Sequence, residues 1–141
     1  MNESFLTLQI ITPDTTSFSG PVKQVSVPTT EGVLTILPEH TPVVVVIQSG
    51  ELVVTDSEMQ THVFAVFSGV LDVRPGSVVN VLVDKSEKAD AIDIARAEQA
   101  VARAKVLLEE KIHENAVDFA RFQALLDKEL NRVRVATKWR M

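Results

Sequence analysis

Read for hydrophobic and polar positions, the chain divides near Ser86 into two stretches with different periods. Before that point, short apolar runs recur between turn residues: FLTLQII, VKQVSV, VLTIL, VVVVI, ELVV, HVFAVF, VLDV and VVNVLV. Runs of this length, with turns about every eight to twelve residues, predict a sandwich or barrel of antiparallel strands. Arg74-Pro75-Gly76-Ser77 reads as a type II turn, since proline fixes φ at the second position and glycine supplies positive φ at the third. Ser68-Gly69 reads as a break between two further strands. VVVVI does not alternate, which predicts cover on both faces, so VLTIL and VVVVI are both expected in the core.

From about Asp90 the period becomes helical, with Asp90 expected to cap the first turn and Asp93 three residues on, near the positive end of the helix. Ile94, Ala97, Val101, Ala104, Leu108 and Ile112 form one apolar stripe, and Phe119, Phe122, Leu126, Leu130 and Val133 a second. Between them HENAVD is more polar, and Asn115 with Asp118 can start a new helix. The expected fold is therefore β + α: an N-terminal antiparallel β-sandwich over 1–86, then an α-helical hairpin over 87–141. A single continuous helix of about 45 residues is the alternative, because no glycine or proline marks the turn.

Composition sharpens the boundary. All five glycines and six prolines lie at or before Gly76, whereas eleven of the twelve alanines follow Ser86. The net charge of −5 argues against generic nucleic-acid binding, and the lack of cysteine rules out disulfides and thiolate metal sites. No secretory signal and no run near the ~20 apolar residues of a membrane span is seen, so no direct membrane insertion is expected. His40, His62 and His113 have no paired metal-ligand spacing, and neither a nucleophile turn nor a P-loop occurs. These absences point to a protein without catalytic residues or a metal site.

The stretch EGVLTILPEHTPVVVVIQSGEL, from Glu31 to Leu52, resembles the signature region of the epsilon subunit of bacterial F-type ATP synthase. That pattern is roughly EG-x-L-G-[IV]-[LY]-P-x-H-x-P-L, followed by a strand and G-x-[LI]. FSGPVKQVSVPTTEG before it, FSGVLDVRPGSVVNVLVD after it and IDIARAEQA at the head of the helices continue the likeness in order. Two departures are Thr35, where glycine is usual, and Glu39, where glycine or asparagine is common.

The resemblance implies a non-catalytic central-stalk subunit of a rotary proton- or sodium-translocating ATP synthase, peripheral to the cytoplasmic face of the bacterial inner membrane. Its sandwich would bind the gamma subunit and rest on the c-subunit ring, and its mobile helices would restrain hydrolysis by the alpha and beta subunits. Glu31 and His40 match positions near the polar loops of the c ring; ordinary turn chemistry is the competing account. On a helix wheel Lys128 and Arg132 fall about 20° to either side of Arg121, away from the second apolar stripe. The resemblance sets this basic row against acidic loops of the catalytic beta subunits once the helices extend. Local pairs, Asp118 with Arg121 and Glu129 with Arg132, would explain it without a partner.

IDIARA also resembles the [IL]-D-x-x-R-A motif with which some members bind ATP on the folded hairpin. Carried over by position, Asp93 and Arg96 would join Lys128 and Arg132 around this regulatory nucleotide, the one small molecule the resemblance brings in. Lysine at 128 replaces the arginine of strong binders, and a salt bridge between Asp93 and Arg96 explains the motif without a ligand. Trp139 is expected to anchor the last helical turn. The rival function is a free-standing β-sandwich adaptor or ligand-binding module with a dimerising helical hairpin.

Overall fold

The structure of the chain, a computed structural model, describes residues 4–111 and 116–139. It falls into two compact units, Met1–Lys88 and Ala89–Met141. The first holds strands β1 (Leu6–Ile11), β2 (Thr16–Thr29), β3 (Gly32–Ile36), β4 (Val43–Ile47), β5 (Gly50–Asp56), β6 (Thr61–Arg74) and β7 (Val78–Lys88). Their order is β1-β7-β6-β4-β2-β3, with β5 joining β2 to β6 and β1 also pairing β2. The fourteen-residue strands β2 and β6 serve both layers of the sandwich, which lets short strands such as β3 and β4 find partners. All pairings are antiparallel except β1 with β7, which run parallel, a departure from the all-antiparallel expectation.

The core follows from alternation. Leu6, Leu8 and Ile10 of β1 point inward, as do Val22, Val25 and Val27 of β2, Leu71 and Val73 of β6, and Val79 and Val81 of β7, around Phe64. Successive strand side chains face opposite ways, so one face of each strand supplies this core. Ser68-Gly69 is not a break between strands. It lies within β6, which runs unbroken from HVFAVF into VLDV. A Cβ on Gly69 would sit 2.0 Å from the Leu82 carbonyl oxygen, so β7 can approach here only because the side chain is absent. Gly76 has φ 83°, as the type II turn requires.

Two core expectations fail in the same way. In β4 only Val43, Val45 and Ile47 turn inward, while Val44 and Val46 are 69% and 55% exposed. VLTIL likewise buries Ile36 but leaves Val33 and Leu37 exposed. These strands do alternate in space; their outward positions simply happen to be apolar too.

In the second unit a short 3-10 turn, Ala89–Ala91, precedes α1 (Ile94–Lys111) and α2 (Ala116–Trp139). The two helices pack on each other as a hairpin, and α2 also meets the 3-10 turn. His113 and Asn115, in the proposed turn, lie outside the described residues. Ala97 and Ala104 of the α1 stripe are fully buried, with Ile94 and Val101 partly so. The cap is Asp93, not Asp90: its Oδ1 accepts the Arg96 amide at 3.1 Å, the third-residue N–H that an N-cap satisfies. On α2 the expected stripe is also shifted. Leu126 is buried, but Leu130 is 40% exposed, and Glu129 is buried in line with Phe122, Leu126, Val133 and Ala136.

Candidate functional site

The Glu31 end of β3 is built by Thr29, whose hydroxyl donates to the Gly32 carbonyl at 2.5 Å and accepts the Glu31 amide at 3.1 Å. The Thr30 amide reaches the Val46 carbonyl at 3.0 Å, and Gln48 donates to Pro28 and Thr29. Glu31 itself is exposed. At the other end of β3, the His40 amide donates to the Leu37 carbonyl at 3.1 Å, closing a turn in which Pro38 is followed by Glu39 at φ 66°. That is the type II geometry, and it explains why glycine or asparagine suits this position. The Glu39 amide donates to Ser77 Oγ at 2.8 Å, so the loop is tied to the Arg74–Ser77 turn. His40 Nδ1 donates to the Thr41 carbonyl at 2.7 Å. Glu31 and His40 are therefore held separately, with β3 between them, and do not form one cluster.

Between these loops lies a feature that sequence reasoning missed. Val46 faces Val70 across β4 and β6, Val70 faces Leu82 across β6 and β7, and Leu82 faces Ile11 of β1. Val46 and Leu82 are 55% and 43% exposed, and Val44 adjoins them opposite Asp72. The result is an apolar row across four strands of the outer face, next to an Asp72–Arg74 ion pair of 2.9 Å. The signal was present in VVVVI, because an unbroken run can also mark a strand whose outer face meets another molecule.

At the far end of the β5–β6 hairpin His62 Nε2 donates to Asp56 Oδ2 at 2.7 Å, and the Glu58 and Gln60 amides reach Oδ1 at 2.8 and 2.9 Å. The Asp56 carboxyl is held below the usual carboxylate range, first by the His62 hydrogen bond and then by these amides. Phe18 lies against both the His62 and Phe64 rings.

In the helical unit Asp93 Oδ2 and Arg96 Nε are 3.9 Å apart and both well exposed. The basic row expected on α2 does not form one solvent face. Arg121 is exposed, its guanidinium 5.4 Å from the Phe122 ring centre, whereas Lys128 is partly buried. Arg132 Nη1 donates to Glu129 Oε2 at 2.7 Å, with side-chain exposures of only 25% and 7%. Arg134 donates similarly to the buried Asn131 at 2.7 Å. Trp139 is 41% exposed under the Lys138 ammonium, so it is not a buried anchor. Among the described residues no group of three or more acidic, histidine or cysteine side chains could hold a metal ion.

Two family models match successive parts of the chain: "ATP synthase, Delta/Epsilon chain, beta-sandwich domain" over residues 5–89, and "ATP synthase, Delta/Epsilon chain, long alpha-helix domain" over 90–137. The chain belongs to the ATP synthase delta/epsilon chain family. Its similarity to the "ATP synthase epsilon chain" of Chloroflexus aggregans is 41% identity over 92% of this chain and 90% of that one. The "ATP synthase epsilon chain" of Dehalococcoides mccartyi is 38% identical over 96% and 94%. In fold, the chain matches part of the Euglena gracilis mitochondrial ATP synthase, "OSCP/F1/c-ring", with TM-score 0.78 at 18% identity, over 96% of this chain and 82% of that one. The boundary between the two delta/epsilon domains coincides with the end of β7 and the start of the 3-10 turn. In this delta/epsilon chain the Arg132 guanidinium holds a carboxylate of its own helix, that of Glu129.

Proposed function

We propose that this epsilon chain is a non-catalytic central-stalk subunit of a rotary proton- or sodium-translocating ATP synthase. It docks through its β unit on the gamma subunit and the c ring and restrains ATP hydrolysis through its helices. The observation that carries the docking is the outward row Val44, Val46, Val70 and Leu82. Nothing in the fold of a sandwich requires valine and leucine on its solvent side, and a contiguous apolar row is the usual mark of a protein contact. The gamma subunit is assigned to this row. The c ring is assigned to the polar loops, where Thr29 shapes the chain around Glu31 and Ser77 steadies the loop bearing His40. Pre-shaped loops lose little entropy on docking. Arg121 is available to the beta subunits while the hairpin is closed; Lys128 and Arg132 become so only when α2 leaves its present packing.

No helix among the described residues is long and apolar enough to cross a membrane, which fits a peripheral subunit held through its neighbours. The test is co-purification. The tagged chain should bring down alpha, beta and gamma subunits, and Val46→Asp with Leu82→Asp should weaken gamma binding at least about tenfold, because a buried contact would then hold two unpaired charges. Thermal unfolding of the same variant, substituted only at exposed positions, should stay close to the parent. A chain that purifies alone or as its own dimer would favour the free-standing adaptor.

A further inference from the structure

The ladder of β1 on β7 ends at Ile11 opposite Leu82, while β7 runs on to Lys88 against β6. Pro13 has no amide with which to continue it, and a hydrogen-bonded turn carries the chain away: Thr12 Oγ1 donates to the Thr15 carbonyl at 3.0 Å and accepts the Thr15 amide at 3.2 Å. Where the two strands part there is an open notch of about 280 Å³, lined by Ile11, Thr12 and Pro13 on one side and by Leu82, Val83 and Asp84 on the other. Ile11 and Leu82 also end the outward apolar row, so the notch continues that surface.

Asp84 is exposed and is the one charged side chain of the notch. The other acid beside the row, Asp72, has Arg74 at 2.9 Å. Asp84 accepts only from Ser68 Oγ, at 3.2 Å, and among the described residues no cation stands within ion-pair distance of it. Ser68 makes that bond from a left-handed backbone, φ 24°, within β6, a conformation that costs free energy and that regular strands do not use. We infer that the notch takes a long basic side chain of the gamma subunit, with its aliphatic stem on Ile11, Pro13 and Leu82 and its cation on Asp84. The inference rests on the reading of the apolar row as the gamma-facing surface, and it adds the group that fixes the register of docking. Lysine and arginine bury their methylenes and keep the charged head at the rim, which suits an apolar notch with a carboxylate at its mouth. A purely apolar side chain would fill the same space but leave Asp84 desolvated and unpaired. The β unit as a whole favours a basic partner: residues 1–88 carry ten acidic and four basic side chains, so a basic surface is attracted before contact.

Equilibrium binding of the full chain to an alpha-beta-gamma assembly stripped of it, in low and in high salt, tests this. At ~50 mM salt Asp84→Asn should bind about tenfold more weakly than the parent and Asp84→Lys more weakly still. Both differences should shrink at ~1 M, where a Debye length of about 3 Å screens an exposed pair. Asp84→Glu, which keeps the charge, should stay within about threefold of the parent. Thermal melts of all three should match the parent, because Asp84 is exposed. Carbodiimide, which joins a carboxylate to an amine, should cross-link Asp84 to gamma where the cation is lysine; a salt-dependent loss without a cross-link identifies arginine. The inference is overturned if Asp84→Asn and Asp84→Lys bind like the parent in low salt, if their loss is indifferent to salt, or if they lose self-association of the chain and keep gamma. Should they bind normally while Val46→Asp with Leu82→Asp does not, the row stands and only the notch fails. Should that double variant bind normally as well, the reading of the row itself is wrong.

Discussion

Glu39 holds a left-handed backbone that a side chain disfavours, at the corner of the turn that begins with Pro38. Glycine has no such penalty, so Glu39→Gly should stabilise the β unit by about 1 kcal/mol in urea denaturation. Gly69 is the opposite case: Gly69→Ala must push β6 off the Leu82 carbonyl, and its loss should reach several kcal/mol, about 3 or more. Asp56 supplies a pH dependence with a definite sign. Its folded carboxyl titrates below its unfolded value of about 3.9, so its stabilisation is fully present above that value and disappears as pH falls through the lower, folded one. Asp56→Asn should therefore be less stable than the parent at neutral pH. The two should converge as pH falls through the lowered, folded value, as read from urea midpoints.

At the level of strands and helices, alternation and stripes were legible where a single environment explains them. β1, the Val22–Val27 part of β2 and the Val78–Val83 part of β7 could be read directly, and so could the α1 stripe with its buried Ala97 and Ala104. VVVVI could not, because period says which residues share a face and not what covers that face. Ser68-Gly69 was read as a gap between strands, since glycine within a strand and glycine in a turn look alike in sequence. On α2, Leu130 was preferred to Glu129 on polarity alone. The direction in which α1 and the 3-10 turn lie selects the face that is buried, and that direction is a tertiary fact. Leu126→Ala should accordingly cost the helical unit about 2–5 kcal/mol, and Leu130→Ala less than about 1, in helical melts of the two variants. Of the candidate site, the Glu129–Arg132 pair was visible as an i,i+3 spacing, but its burial was not.

For the whole chain, the likeness running through both halves made the family readable before any coordinate, whereas the surface that meets a partner needed the pairing of strands. Each of the two units has its own core, so residues 1–88 should unfold cooperatively when expressed alone, seen as a single sigmoidal thermal transition. Residues 89–141, two helices with one apolar seam, should be only partly helical in isolation. The parallel pairing of β1 with β7 has a consequence for synthesis. Thr7 finds its partner Val78 only after nearly all the β unit has been made, and until then Leu6, Leu8 and Ile10 have β2 for company and nothing on their other side. Closure of so long a loop is entropically slow, and a growing chain must keep that first strand unfinished throughout. A ribosome stalled before β7 would thus release a fragment with an open, apolar first strand, a natural substrate for chaperones and an early site of aggregation.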